Sequence, residues 1–122
     1  MARVVHFEIP VNDIDRSIAF YEKVFGWKVQ KWDGPEPYYL VSTGPKDQPG
    51  IDGGFLKKRD PRQPLCNTIQ VDNVDAAILS VEQNGGKCCV PKMAVPGVGW
   101  LAYFNDPEGN THGVMQFDPA AN

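Results

Sequence analysis

His6 and Glu8 stand two residues apart in an apolar, β-branched run from Val4 to Val11. Strand side chains alternate between faces, so an imidazole and a carboxylate at this spacing point to the same side. Such a pair can do acid–base work, or supply two of the donors that a divalent cation needs. Cys66 lies sixty residues after His6, in a similar run from Leu65 to Val71. A thiol beside an imidazolium can act as a nucleophile with its base. No orienting third group or oxyanion donor accompanies it in the sequence, which favours a small buried thiol. His6, Glu8 and Cys66 taken together form an unusual, partial set of metal donors.

The elements that must position these residues occur twice. Ile9, Val11, Ile14, Asp15, Ile18, Glu22 and Gly26 return as Ile69, Val71, Val74, Asp75, Ile78, Glu82 and Gly86, each sixty residues later and without a gap. A period of half the chain indicates one unit duplicated and fused. Each copy opens with a strand and meets a polar pair, Asn12-Asp13 or Asp72-Asn73, suited to capping a helix. The stripes Ile14, Ile18, Tyr21, Phe25 and Val74, Ile78, Val81 then predict amphipathic helices, stopped by Gly26 and by Gly85-Gly86. Three further apolar segments follow each helix: 27–32, 38–42 and 51–57, then 87–95, 100–105 and 111–117. Asp106-Pro107-Glu108-Gly109-Asn110 reads as the hairpin turn joining the last two. The chain is therefore expected to be a single domain over residues 1–122. It comprises a first module over 1–58, a polar linker over 59–64 and a second module over 65–122.

The 122 residues are 42% hydrophobic, enough for a core without disulfides or structural metal. The net charge of -3 gives no general attraction to phosphate backbones or anionic lipid, so neither nucleic acid nor membrane is expected as a partner. The basic stretch around Lys57-Lys58-Arg59 lacks interleaved aromatic residues and reads as solvated. No signal-peptide pattern or long apolar run occurs, and a cytoplasmic location is expected. Three cysteines, with Cys88 and Cys89 adjacent and without CxxC spacing, read as reduced thiols.

The duplicated βαβββ pattern carries a first-strand His6, then Val11, Asp13, Ser17, Phe20-Tyr21 and Phe25-Gly26, and closes on Asp106-Pro107-Glu108-Gly109-Asn110. In this it resembles the vicinal oxygen chelate superfamily of glyoxalase I, bleomycin resistance proteins and extradiol dioxygenases. The resemblance implies an α+β fold in which two tandem βαβββ modules form a curved mixed sheet around a cup, with helices on the outer face. It also implies, for metal-dependent members, one ligand from the first and one from the last strand of each module. The sixty-residue offset places those four positions at His6, Gly53, Cys66 and Gly113. Only His6 is an expected ligand, and glycine offers no donor. No metal or other cofactor is therefore expected, a divalent ion at a rebuilt partial site being the alternative.

Glycine at 53 and 113 should instead open the floor of the pocket. By alternation the lining is expected to comprise His6, Glu8, Gly53, Phe55, Cys66, Thr68, Gln70, Gly113 and Met115. Trp100 and Tyr103 come from a neighbouring strand, and His112 is expected to face a covering helix. The fold hosts many reactions, so function rests on the site. The expected function is metal-independent binding or sequestration of a small molecule by a homodimer. The alternative is a lyase, epimerase or dioxygenase-type enzyme in which His6 and Glu8 are catalytic, with or without a divalent ion.

Overall fold

The computed structural model describes residues 2–122 and contains the two βαβββ modules expected. The first has strands β1 (Arg3–Val11), β2 (Lys28–Lys31), β3 (Tyr38–Ser42) and β4 (Asp52–Lys57), with helix α1 (Ile14–Phe25) after β1. The second has β5 (Cys66–Gln70), α2 (Val74–Gln83), β6 (Lys87–Val95), β7 (Gly99–Asn105) and β8 (Thr111–Phe117). The contacts within the chain divide it into two compact units, His6–Leu65 and Cys66–Asn122, the latter together with the chain's start through Val5. Among the described residues no helix is long and apolar enough to cross a membrane.

The helices begin where the polar pairs stand. Asp13 accepts from the Arg16 N–H at 3.1 Å and Asn73 from the Ala76 N–H at 2.8 Å, each occupying one donor that the first turn leaves open. Gly26 ends α1 in the left-handed conformation, φ 72°, while α2 ends at Asn84 and only the next residue, Gly85, turns left-handed. The Asp106–Asn110 turn closes as read from the sequence. The Asp106 carboxylate accepts from the backbone N–H groups of Glu108 and Asn110, and Gly109 takes φ 86°. Residues 59–64 are not a bare spacer: the Arg59 N–H donates to Gln63 Oε1 and the Arg62 N–H to Asp60, folding the segment on itself.

In the first module the strands run in the order β2-β3-β4-β1, and β1 pairs with β4 in parallel, the other pairs being antiparallel. One face packs on α1: Val11, Val41 and the fully buried Phe55 form the centre, with Phe7, Ile9, Ile14, Ile18, Tyr21 and Trp27 around them. Phe25, placed on the helical stripe by spacing, is 61% exposed, stacking on Tyr21 and tilted against Trp27 at the edge of this core. In the second module the order is β5-β8-β7-β6, again with parallel first and last strands. Its core joins Val74, Ala102 and Val114 to Ile69, Val71, Ile78, Trp100 and Phe104.

The parallel pairings correct the sequence reading of the last strands. Glu8 pairs with Gly54, while Thr68, sixty residues after Glu8, pairs with Gly113. The offset thus falls from sixty to fifty-nine on the last strands, one residue being lost between helix and final strand in the second module. Ile9 beside Phe55 and Ile69 beside Val114 show the same correspondence, both pairs sitting against a helix. A shift of one residue exchanges the two faces of a strand. Gly53 and Phe55, expected in the pocket, therefore face α1. Phe55 fills the core, and Gly53 leaves room for Phe7.

A Cβ at Gly53 would meet the Phe7 ring and stand 2.5 Å from the Phe7 carbonyl oxygen, a backbone atom that cannot yield without disturbing the β1–β4 pairing. Gly53→Ala is expected to lower unfolding stability by about 1–3 kcal/mol, the usual cost of overpacking. Urea denaturation followed by tryptophan fluorescence measures this, and an unchanged midpoint would contradict the placement.

Candidate functional site

With Phe7, Ile9 and Val11 turned toward α1, alternation sends His6 and Glu8 to the helix-free face of the first module. Their cross-strand neighbours on β4 are Asp52 and Gly54, which share that face. Glu8 is only 9% exposed. Asp52 is held from β3's end: Thr43 donates its N–H to Asp52 Oδ1 at 2.9 Å and its hydroxyl to the same oxygen at 3.4 Å.

Tyr38 joins this site, although its place among Trp27, Trp32 and Tyr39 does not by itself separate a pocket wall from a core ring. It opens β3, pairs with Leu56, and leans along the strand so that its ring and hydroxyl cover Gly54. The hydroxyl lies 2.6 Å from His6 Nε2, one proton being shared between oxygen and nitrogen, with the rings inclined by 21° at 6.2 Å. The Trp32 ring meets Tyr38 edge-on at 6.3 Å, and the Trp32 backbone N–H donates to the Tyr38 carbonyl at 2.8 Å. The signal available in sequence was the two adjacent glycines, 53 and 54, in one short strand. Only the register decides which of them opens which face.

Burial lowers the pKa of His6 below its ordinary value of 6.5, and the nearby carboxylates of Glu8 and then Asp52 oppose that effect. The imidazole is thus held toward its neutral form in company with two acidic residues.

The helix-free face of the second module carries Thr68 and Gly113, opposite one another, with Tyr103 beside Gly113 on β7. A Cβ at Gly113 would stand 3.3 Å from the Tyr103 ring and 3.5 Å from Thr68 Oγ1. Cys66, Gln70 and Met115 alternate onto this same face, and Cys66, Thr68 and Met115 are buried. Trp100 and Tyr103 separate: Trp100 packs toward α2 and donates its Nε1–H to Asp118 at 3.1 Å, whereas Tyr103 keeps to the helix-free side. His112 faces the helix side, tilted against Phe104, with its buried Nδ1 lacking a hydrogen-bond partner. Cys88 is no activated thiol, since burial, the Glu82 carboxylate and Cys89 all push its pKa up.

These residues do not fit the metal centre of metal-dependent members of the superfamily. His6 Nε2 is engaged by Tyr38, and Gly54 and Gly113 bring no donor. Any side chain at position 54 would have to displace the Tyr38 ring. Among the described residues no three or more His, Cys, Asp or Glu side chains gather to hold an ion.

Comparison with known proteins agrees with the fold. A family model described as bleomycin resistance protein-like N-terminal matches residues 3–44. A glyoxylase-like domain-containing protein of Didymella fabae is 34% identical over 112 residues, covering 88% of each chain. Lactoylglutathione lyase of Escherichia coli O157:H7 is 31% identical over 119 residues, covering 88% of this chain and 87% of that one. The crystal structure of methylmalonyl-CoA epimerase from Mycobacterium tuberculosis superposes with a TM-score of 0.70 at 13% identity, over 95% of this chain and 88% of that chain, a likeness of fold alone.

The sign of the His6 shift gives a pH dependence. A folded-state pKa below the unfolded value means that the folded chain binds fewer protons. The associated stability is complete above 6.5 and is lost as pH falls through the folded-state value. The His6 imidazole, followed by NMR, is expected to titrate below 6.5, and Glu8→Gln, which removes a charge that raises the pKa, to move it lower still. A midpoint above 6.5, or an upward shift in Glu8→Gln, would contradict this account.

Proposed function

The chain belongs to the glyoxalase and bleomycin resistance superfamily, and from that membership we propose that it binds a small organic molecule without a divalent ion, on the helix-free face bearing His6 and Glu8. One observation carries this reading. His6 Nε2 is taken by the Tyr38 hydroxyl at 2.6 Å, and the phenol covers the glycine where a last-strand donor would stand. The Glu8 and Asp52 carboxylates suit a neutral or basic ligand over an anionic one. Thr68, Gln70, Cys66 and Met115 are proposed as lining on the second module's helix-free face, with Gly113 packed against Tyr103 between them. A mostly apolar surface with a few polar groups is the usual make-up of a small-molecule site. The working form is proposed to be a cytoplasmic homodimer. Phe20 and Val24, one turn apart on α1 and each 54% exposed, offer apolar surface in keeping with pairing.

The 31% identity to a lactoylglutathione lyase favours a second reading, in which His6 and Glu8 move protons during a lyase or epimerase reaction. Elemental analysis of protein purified without chelator separates the two. Far less than one divalent ion per chain is expected, together with no lactoylglutathione lyase activity when zinc or nickel is added. A stoichiometric ion that disappears in His6→Ala would overturn metal-free binding, and activity restored by metal would establish the second reading. Light scattering at micromolar concentration is expected to give twice the chain mass, and the single-chain mass would overturn the dimer.

A further inference from the structure

Gly54 has no need of its glycine for backbone conformation. It is absent from the residues of positive φ, which are Gly26, Gly50, Gly85, Gly97 and Gly109. Its requirement is space: a Cβ built there would run into the hydroxyl, Cζ and Cε2 of Tyr38. The three nearest atoms all belong to the far end of that one side chain, unlike the backbone oxygen met at Gly53. The same Tyr38 hydroxyl holds His6 Nε2. A second glycine works in the same way behind it, since a Cβ at Gly34 would run into the Trp32 ring, which abuts Tyr38 edge-on. Tyr38 is thus set between Trp32 and the bare backbone of β4, with its hydroxyl delivered to the imidazole.

We propose that Gly54 and Tyr38 act as one seat that positions His6: the glycine admits the phenol, the phenol donates to Nε2 and so fixes the imidazole's orientation and tautomer, and the pair thereby sets the site's ligand preference. A neutral imidazole has one nitrogen that donates and one that accepts, and the hydrogen bond at one decides the role left to the other. A hydroxyl can accept as well as donate; with the phenol donating to Nε2 the ring's own proton sits on Nδ1, which then meets a ligand only as a donor, so the site favours ligands that present an acceptor. Tyr38 and Gly54 are positioning residues. Neither needs to bond the ligand for its loss to change what binds. The inference rests on the metal-free reading, because an ion on His6 Nε2 would require the phenol to leave.

The test is the 15N spectrum of the His6 ring in the full chain, recorded at a pH where the ring is neutral. The wild-type ring is expected to show two well-separated nitrogen resonances, the signature of one tautomer. Tyr38→Phe, which removes only the hydroxyl, should draw them toward the averaged position of a freely exchanging imidazole. Gly54→Ala should do the same by pushing the ring aside, and the double variant should add nothing to either. Tyr38→Ala combined with Gly54→Ala should fold, since the added methyl then has room. This keeps the test decisive should Gly54→Ala alone fail to fold. Averaged resonances in the wild type, unchanged resonances in Tyr38→Phe, or strictly additive effects of the two substitutions would overturn the seat. Failure of the underlying reading looks different: stoichiometric metal in the purified protein, with the His6 resonances changed on chelation.

Discussion

In each module the first strand is hydrogen-bonded in parallel to the last, and parallel neighbours can be joined only by a long crossover. The helix and two intervening strands supply it. The helix lies on one face and is capped at its start by the residue just beyond the first strand's end region. The pairing fixes Ile9 beside Phe55 and Ile69 beside Val114. With those four residues committed to the helices, every other position on the paired strands has its face assigned. His6, Glu8 and Thr68 are on the helix-free side because their neighbours in sequence are not.

The fold was legible because its signals are local. Polar caps, helical stripes and the Pro-Gly turn each specify their own few residues, and strands 38–42, 87–95 and 111–117 begin and end where the apolar runs do. The site was legible only in part, because its geometry depends on register. The repeat is exact through the first strand and helix but loses a residue before the last strand, and a face assignment carried across that loss turns over. Gly113, Thr68 and Met115 share one face by the alternation and pairing of the second module's own strands. Gly53 and Phe55 were misplaced because their positions were inherited through the offset. Matching Phe55 to Val114 by their shared burial would have restored the register.

Tyr38 was hidden for a different reason. As one aromatic residue among several near the second and third strands, it carries no spacing that separates a core ring from a polar contact. Its role comes from reach, a side chain leaning diagonally over a neighbouring strand, and depends on the absence of a side chain at Gly54. The functional information therefore lies in a pair, of which one member is marked by what it lacks.

The adjacent glycines of β4 serve opposite faces, with Phe7 lying against Gly53 and Tyr38 against Gly54. At this point a single thickness of backbone separates the aromatic ring of the site from the aromatic cluster of the core. Phe7 continues that cluster to Trp27 at 5.7 Å, and Trp27 stacks nearly flat on Tyr21 at 4.8 Å. Most strands are padded by side chains on both sides, which absorb small displacements; here that cushioning is missing. Displacing the Tyr38 ring would therefore bear on the same strip of backbone that Phe7 packs against from the core side.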